Sequence, residues 1–433
     1  MDQRTLTEII EREQIEWVQT HFTDLFGRLR VLHIPAKRFL SDDIVSHGIG
    51  FDGSSVGFTG VEKSDLIVIP DLSTFLPLPH EEHEARVIAG IHTTSREPHP
   101  VDPRFVLKQA LHHAKEQGFD SVRISPEMEF FALKPRTEDS YEIKDNEGYF
   151  FPPPLDDAKH YRKELSDHLL ASGYQVKYHH HENGKYQHEI EISSLEAQDA
   201  ADFCVFFKYL ARELACREGM QVTFMPKPSS LEAGNGMHAH ISLYDHGNNM
   251  FADNEDEYGL SQTARYFIGG IMDHAQALAA FTNPTINSYK RLIPHYEAPI
   301  YIAWGQHNRS SLIRIPAKKT IDIEIRNGDP AANPYLFFAS VLYAGLDGIQ
   351  KKQSYDPVES NIYDMTAAEL AAHHIQKLPS SLYEALEAFE SDDVLQHSLG
   401  RELSELYIRK KKEEYQQYMA EITDLDYEFY FNC

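Results

Sequence analysis

Polar and apolar residues alternate through four separated stretches of this chain, SPEMEFFAL, YQHEIEI, MHAHISLY and TIDIEIR, which predicts β-strands with one buried and one open face. On the open face the pattern sets Glu127 with Glu129, Gln187 with Glu189 and Glu191, His238 with His240 and Ser242, and Asp322 with Glu324 and Arg326. Elsewhere the apolar spacing turns helical, at about 155–172, 197–218, 260–280 and 334–350. Nearer the start, residues 4–16 read as a helix and 17–36 as two strands around a turn at Phe26-Gly27-Arg28, followed by strand-like runs such as ARVIAGIHT. Asp102 and Pro103 have the types of an N-cap and first-turn residue and Gly118 that of a helix end, so a helix is expected between them. A boundary is placed there: a small β-rich domain over 1–102 and a large α+β domain over 103–433, built on an antiparallel sheet flanked by helices. The C-terminal tail reads as helical and charged.

Length and composition narrow the function. A chain of 433 residues suits two domains, and 42% hydrophobic with 25% charged residues is a globular balance. The formal charge of -26 argues against nucleic acid or an anionic membrane as partner. A protein this acidic that handles phosphates or carboxylates needs local positive charge, from clustered arginines or bound metal ions. The three cysteines, Cys204, Cys216 and Cys433, form no CxxC, which suits a reducing compartment and offers no thiolate zinc cage. The opening MDQRTLTEII has no basic segment before an apolar core, and no apolar run reaches membrane-spanning length, so a cytoplasmic protein is expected.

The carboxylates carry the chemistry. Glu127, Glu129, Glu182, Glu189 and Glu324 with His238 are a reasonable ligand set for two hard divalent cations such as Mg²⁺ or Mn²⁺. Such ions neutralise charge on a transferring phosphoryl group. His179-His180-His181 reads as a strand leading into Glu182, the functional member of that run. Lys410-Lys411-Lys412 reads as a solvated helix face, and Tyr363 as a surface tyrosine.

From about residue 15 to 350 the chain resembles the glutamine synthetase family, through FDGSSVGF, SPEMEFF, HHENGKYQHE, FMPKP, GNGMHAHISL, NSYKRLIPHYEAP, NRSSLIRIP and EIRNGDPAANPYL in the family's order. The resemblance implies a β-grasp-like N-terminal domain and ATP-dependent ligation of ammonia to the γ-carboxylate of L-glutamate, through γ-glutamyl phosphate, giving glutamine, ADP and phosphate. It implies one metal held by Glu129, Glu182 and Glu189 and a second by Glu127, His238 and Glu324. Arg291 and Arg309 would hold the substrate carboxylate and the transferring phosphate, with Arg326 and the loop glycines Gly234 and Gly236 beside them. His240, Ser242, Arg314 and Lys319 would contact the nucleotide. Asp52, Ser55, Tyr149 and Glu182 match the ammonium pocket, and Glu297 matches the flap glutamate that takes the amine's proton. A homo-oligomer follows from the same likeness, a dodecamer with sites shared between neighbouring subunits.

The match also departs from the family pattern. The glutamate loop reads AGNGMH, with Ala233 and Asn235 where relatives carry NGSGMH, the flap has His295 for a glycine, and Gly328 stands for a proline. Asp322 replaces an arginine, whose contact would fall to Lys318 or Lys319, and Gly60 replaces a feedback arginine. The GNGMHxHIS wording is also similar to γ-glutamylamide ligases acting on polyamines or other small amines, which is the alternative reading. A non-catalytic structural paralogue is the remaining one, opposed by the intact glutamates and arginines.

Overall fold

The computed structural model describes residues 1–134, 148–293, 298–317 and 320–433. Two sheets organise it. The first joins β1 (Trp17–Thr23), β2 (Leu29–Pro35), β3 (Ile49–Asp52), β4 (Asp65–Pro77) and β5 (Glu84–His92) in the order β2-β1-β5-β4-β3, with β1 and β5 parallel and the other pairs antiparallel. Gly27 makes the β1–β2 turn with φ +76°, a region that costs glycine little.

The second sheet comprises β6 (Ser121–Leu133), β7 (Val176–His181), β8 (Gln187–Ile192), β9 (Leu195–Glu196), β10 (Gln221–Thr223), β11 (Ala239–Asp245), β12 (Asn248–Asn249), β13 (Tyr301–Gly305), β14 (Ser311–Arg314), β15 (Ile323–Ile325) and β16 (Gln376–Lys377). Its spine runs β16-β13-β14-β15-β11-β6-β8-β7, antiparallel except for β13 beside β14. The α+β expectation holds.

The four alternating stretches become four neighbouring strands, β15-β11-β6-β8. Their apolar positions, Ile323 and Ile325, Ala239, Ile241 and Leu243, Val122, Met128 and Phe130, and Ile190 and Ile192, are all buried in one core. The helix Ala197–Arg217 covers that face through Phe203, Phe207 and Leu210, and the helix Pro334–Lys351 packs on it in turn. Each large apolar side chain so buried contributes about 1.5–3 kcal/mol. The opposite face of the same strands is left for the polar set.

Asp102 ties the two parts together. Its carboxylate accepts from the backbone N–H of Arg104, capping the helix Pro103–Glu116, and from that of Ile91 at the end of β5 (3.1 and 3.0 Å). A network continues the join: the Arg104 guanidinium donates to Asp71 on β4 at 3.0 Å and to both oxygens of Asp202 (3.1 and 3.0 Å), and the Tyr335 hydroxyl donates to the Asp202 carboxylate at 2.6 Å.

Some expectations change. The stretch at 260–280 is two helices, Gln262–Asp273 and Ala275–Thr282, because His274 leaves helical geometry to reach Asp347 and Asp392. The first helix ends at Arg12, before Gln14 turns to φ +52°. Lys411 is not solvated: it is buried, pairs with Glu414 at 2.8 Å and sits 4.6 Å over the Phe26 ring. Tyr363 is half-buried and donates its hydroxyl to the Ala298 carbonyl at 3.0 Å.

Candidate active site

The open face of β15-β11-β6-β8 gathers the alternating carboxylates and imidazoles. Glu127, His238 and Glu324 converge, with His238 Nδ1 2.9 Å from Glu127 and 3.7 Å from Glu324. One strand over, Glu129 stands directly opposite Glu189 in the β6–β8 register. Glu182 follows β7 and meets Glu189 through His180, whose ring lies 3.7 Å from one and 3.3 Å from the other. All five glutamates are buried or nearly so.

Electrostatics set this cluster apart. Burial, then the charges of Glu127, Glu129 and Glu182, push the Glu189 carboxyl well above the usual carboxylate range. Glu127 falls well below it: burial opposes ionisation, and His240 with His238 outweighs that. His240 is sandwiched between Glu127 (2.7 Å) and Asp322 (2.9 Å); against the cost of burial, the Glu127 charge lifts it to about 10. The donor set, oxygen-rich with an imidazole and no thiolate, suits hard divalent cations, and the crowding of buried carboxylates is what a bound cation would relieve. The residues present therefore fit the implied metals.

Positive charge flanks the carboxylates. Arg326 is buried 3.3 Å from Glu324, and Arg314 donates to Glu324 at 2.5 Å. Arg326 also donates to the Arg309 carbonyl, while the Arg309 side chain is exposed. Arg291 donates to the Asn327 carbonyl at 2.7 Å. Gly234 and Gly236 lie so close to Arg291 that a Cβ on either would fall within 3.0 Å of its side chain, and one on Gly234 would also meet the Pro226 carbonyl. Ser242 is buried on the same strand face as His240.

The proposed ammonium pocket is divided. Tyr149 stacks on Phe150 (3.9 Å between ring centres) with its edge towards His180, and burial, then Glu182, pushes its hydroxyl up to about 12. Asp52 ends β3 and Ser55 lies in the turn after it, both exposed, and Ser54 and Ser55 donate to Asp52 and hold its carboxyl at about 2. Among the described residues no hydrogen bond or ion pair joins Asp52 to the carboxylate cluster. Glu297, His295, Lys318 and Lys319 lie outside the described residues.

The fold also brings to the site residues to which the sequence reading gave no role. His180 shares a strand face with Glu182, a spacing-two signal that the sequence does contain. Gln187 Nε2 donates to Glu129 at 2.9 Å and to the Gly234 carbonyl at 3.1 Å, bridging the sheet to the glycine loop. Lys177 donates to Glu191 at 2.5 Å, giving that carboxylate its own cation.

A carboxylate-lined face flanked by buried arginines has the composition of a site for phosphate-bearing and carboxylate substrates with divalent cations. Residues 100–430 match the family described as glutamine synthetase, catalytic domain, and residues 14–94 match the glutamine synthetase β-grasp domain. Glutamine synthetase of Pyrococcus furiosus is 44% identical over 435 residues, covering 96% of this chain and 97% of that protein. The Thermus thermophilus glutamine synthetase is 38% identical over 433 residues, covering 97% of each. Among solved structures, a GmaS/ADP complex superposes with a TM-score of 0.91 at 31% identity, covering 99% of both chains. Plasmodium falciparum glutamine synthetase does so at 0.89 and 26%, also over 99% of both. The chain belongs to the glutamine synthetase family.

Proposed function

We propose that this chain joins ammonia to the γ-carboxylate of L-glutamate at the expense of ATP, through γ-glutamyl phosphate. The observation that carries this reading is the convergence of Glu127, His238 and Glu324, and of Glu182 and Glu189, on one sheet face beside Arg291 and Arg326.

A carboxylate is a poor electrophile, so its oxygen must first be phosphorylated. We assign Arg291 and Gly236 to the glutamate substrate, with Gly234 shaping the loop, and Arg326 and Arg309 to the phosphoryl group as it moves, where guanidinium forks stabilise the added charge. His240, Ser242 and Arg314 face the nucleotide, and Lys319 is assigned there from its motif. Two divalent cations, Mg²⁺ or Mn²⁺, held by Glu129, Glu182 and Glu189 and by Glu127, His238 and Glu324, would neutralise charge on the phosphates when bound. Glu297 is assigned as the base for the incoming amine on its motif alone.

Asp52 is ionised throughout the physiological range, as a group that binds ammonium must be. Its separation from the carboxylate cluster within one chain supports a role for it, with Ser55, in the site of a neighbouring subunit. The oligomer we propose is the dodecamer, in the cytoplasm; among the described residues no helix is long and apolar enough to cross a membrane. Within the chain we place the domain boundary at residue 102, where Asp102 caps the first helix of the larger part.

The test is ADP and glutamine formation by the full-length protein. Turnover should require glutamate, ammonia and a divalent cation together. ATP hydrolysis indifferent to glutamate, or none under any amine, would refute the proposal.

A further inference from the structure

A cavity of about 620 Å³ lies between the β1–β2 turn, the helices Ala197–Arg217 and Pro334–Lys351, and the helix Arg401–Met419. It is separate from the carboxylate cluster, and its lining reverses the chain's overall charge. Arg28, Lys208, Arg212 and Lys411 line it, against the carboxylates Glu213 and Glu414. In a chain of formal charge -26, a cavity with a cationic excess is selective for anions.

The cations are not used up internally. Lys411 pairs with Glu414, but among the described residues Arg28, Lys208 and Arg212 have no ion-pair partner. Lys208 is the sharpest case: the residue is 9% exposed, and its ammonium donates to the Ala332 carbonyl at 3.3 Å. Burial lowers its ammonium to about 8, so at neutral pH a desolvated cation faces the cavity. The walls are aromatic: Phe26, Phe224, Phe281 and Tyr407, with Arg212 5.1 Å over the Phe224 ring.

One wall is bonded to the glycine loop at 234–236. Thr223, Phe224 and Met225 line the cavity, and the carbonyls of Thr223 and Met225 accept from the Asn235 side chain at 3.4 and 3.0 Å. Asn235 is fully buried, and the next residue, Gly236, donates its N–H to Glu129 at 2.7 Å. A ligand that shifts this wall therefore acts on the loop between Gly234 and Gly236.

We propose that this cavity binds a small organic acid, a carboxylate on an apolar and preferably aromatic body, and that its occupancy alters the affinity for glutamate through Asn235. Lys208 and Arg212 take the carboxylate, and the phenylalanine and tyrosine rings take the body. The volume is in the usual range of roughly 300–1,000 Å³ for small-molecule sites. The binding half stands alone, and the coupling half rests on the glutamate reading above.

Titration calorimetry of the full-length protein with phenylacetate and with its neutral counterpart phenylacetamide separates the two halves, because it needs no turnover. Phenylacetate should bind saturably and more tightly than phenylacetamide. Lys208→Met, which keeps the volume, should weaken phenylacetate at least tenfold, and the exposed Arg212→Gln at least threefold, with phenylacetamide unaffected by either. Absence of saturable binding, or equal affinity in wild type and both variants, overturns the site. The KM for glutamate should shift at least twofold with saturating phenylacetate in the wild type and stay put in Lys208→Met. An unchanged wild-type KM overturns the coupling.

Discussion

Glu129 stands directly opposite Glu189 across β6 and β8, and Gln187, two residues from Glu189, donates its side-chain amide to Glu129 at 2.9 Å. Like charges facing each other on neighbouring strands destabilise a sheet by up to about 1 kcal/mol, more when buried. In the metal-free protein, Glu189→Gln should therefore raise stability by about 1 kcal/mol while weakening Mn²⁺ binding at least tenfold. Thermal melts in chelator and Mn²⁺ titrations check both. A variant less stable than wild type without metal would contradict the crowding.

Glu324 faces His238 and is contacted by Arg314 and Arg326. Its loss should free two arginines and remove one of the proposed cation ligands. Glu324→Ala is expected to lower kcat by roughly 10²–10³-fold, the scale seen when one preorganised charge-stabilising group is removed. Light scattering should find the same state of assembly as in wild type, since this side chain is buried within the chain.

Asp52 and Glu324 of one chain serve different sites if the sites are shared between subunits. Subunits carrying Asp52→Ala mixed with subunits carrying Glu324→Ala should then regain part of the wild-type activity, because some interfaces pair two intact halves. Mixed oligomers verified by mass but as inactive as either parent would contradict a shared site.

His274 gives a pH signature away from the site. Burial alone would lower its pKa, but hydrogen bonds to Asp392 (2.5 Å) and Asp347 (3.1 Å) outweigh that and raise it. Its contribution is thus present in full below the unfolded histidine value, about 6.5, and is lost as pH rises through the higher folded value. His274→Gln should cost about 1.5–3 kcal/mol at pH 6, the scale of a hydrogen bond to a charged group, and less at pH 9. Denaturation of both proteins at the two pH values measures the difference.

How much is legible in the sequence follows from period. Glu127, Glu129, Glu189, His238, His240, Glu324 and Arg326 are readable because a strand shows every second residue on one face. The strand order is not, since β11 finds β15 and β6 through contacts more than 80 residues apart in sequence. Lys411 escapes for a related reason: three consecutive lysines look alike on a helix, and only the tertiary partner Phe26 decides which one turns inward. His180 shares its strand with two other histidines, and only its spacing of two from Glu182 marks it as the one that meets Glu182 and Glu189.

Activity as a glutamate–ammonia ligase is tested most directly by competition between amines. In the proposed pocket, Tyr149 and Glu182, with Asp52 from a neighbouring subunit, would offer oxygen acceptors to the protons of a small cation, and an alkyl group in place of a proton would leave an acceptor unpaired. That costs about 1–3 kcal/mol, roughly 5- to 150-fold in selectivity. With ammonia and methylamine supplied together at equal concentration, under saturating ATP, glutamate and Mg²⁺, mass spectrometry of the products should find glutamine ahead by at least fivefold. An equal or larger yield of γ-glutamylmethylamide would contradict that activity and make the chain a ligase for alkylamines.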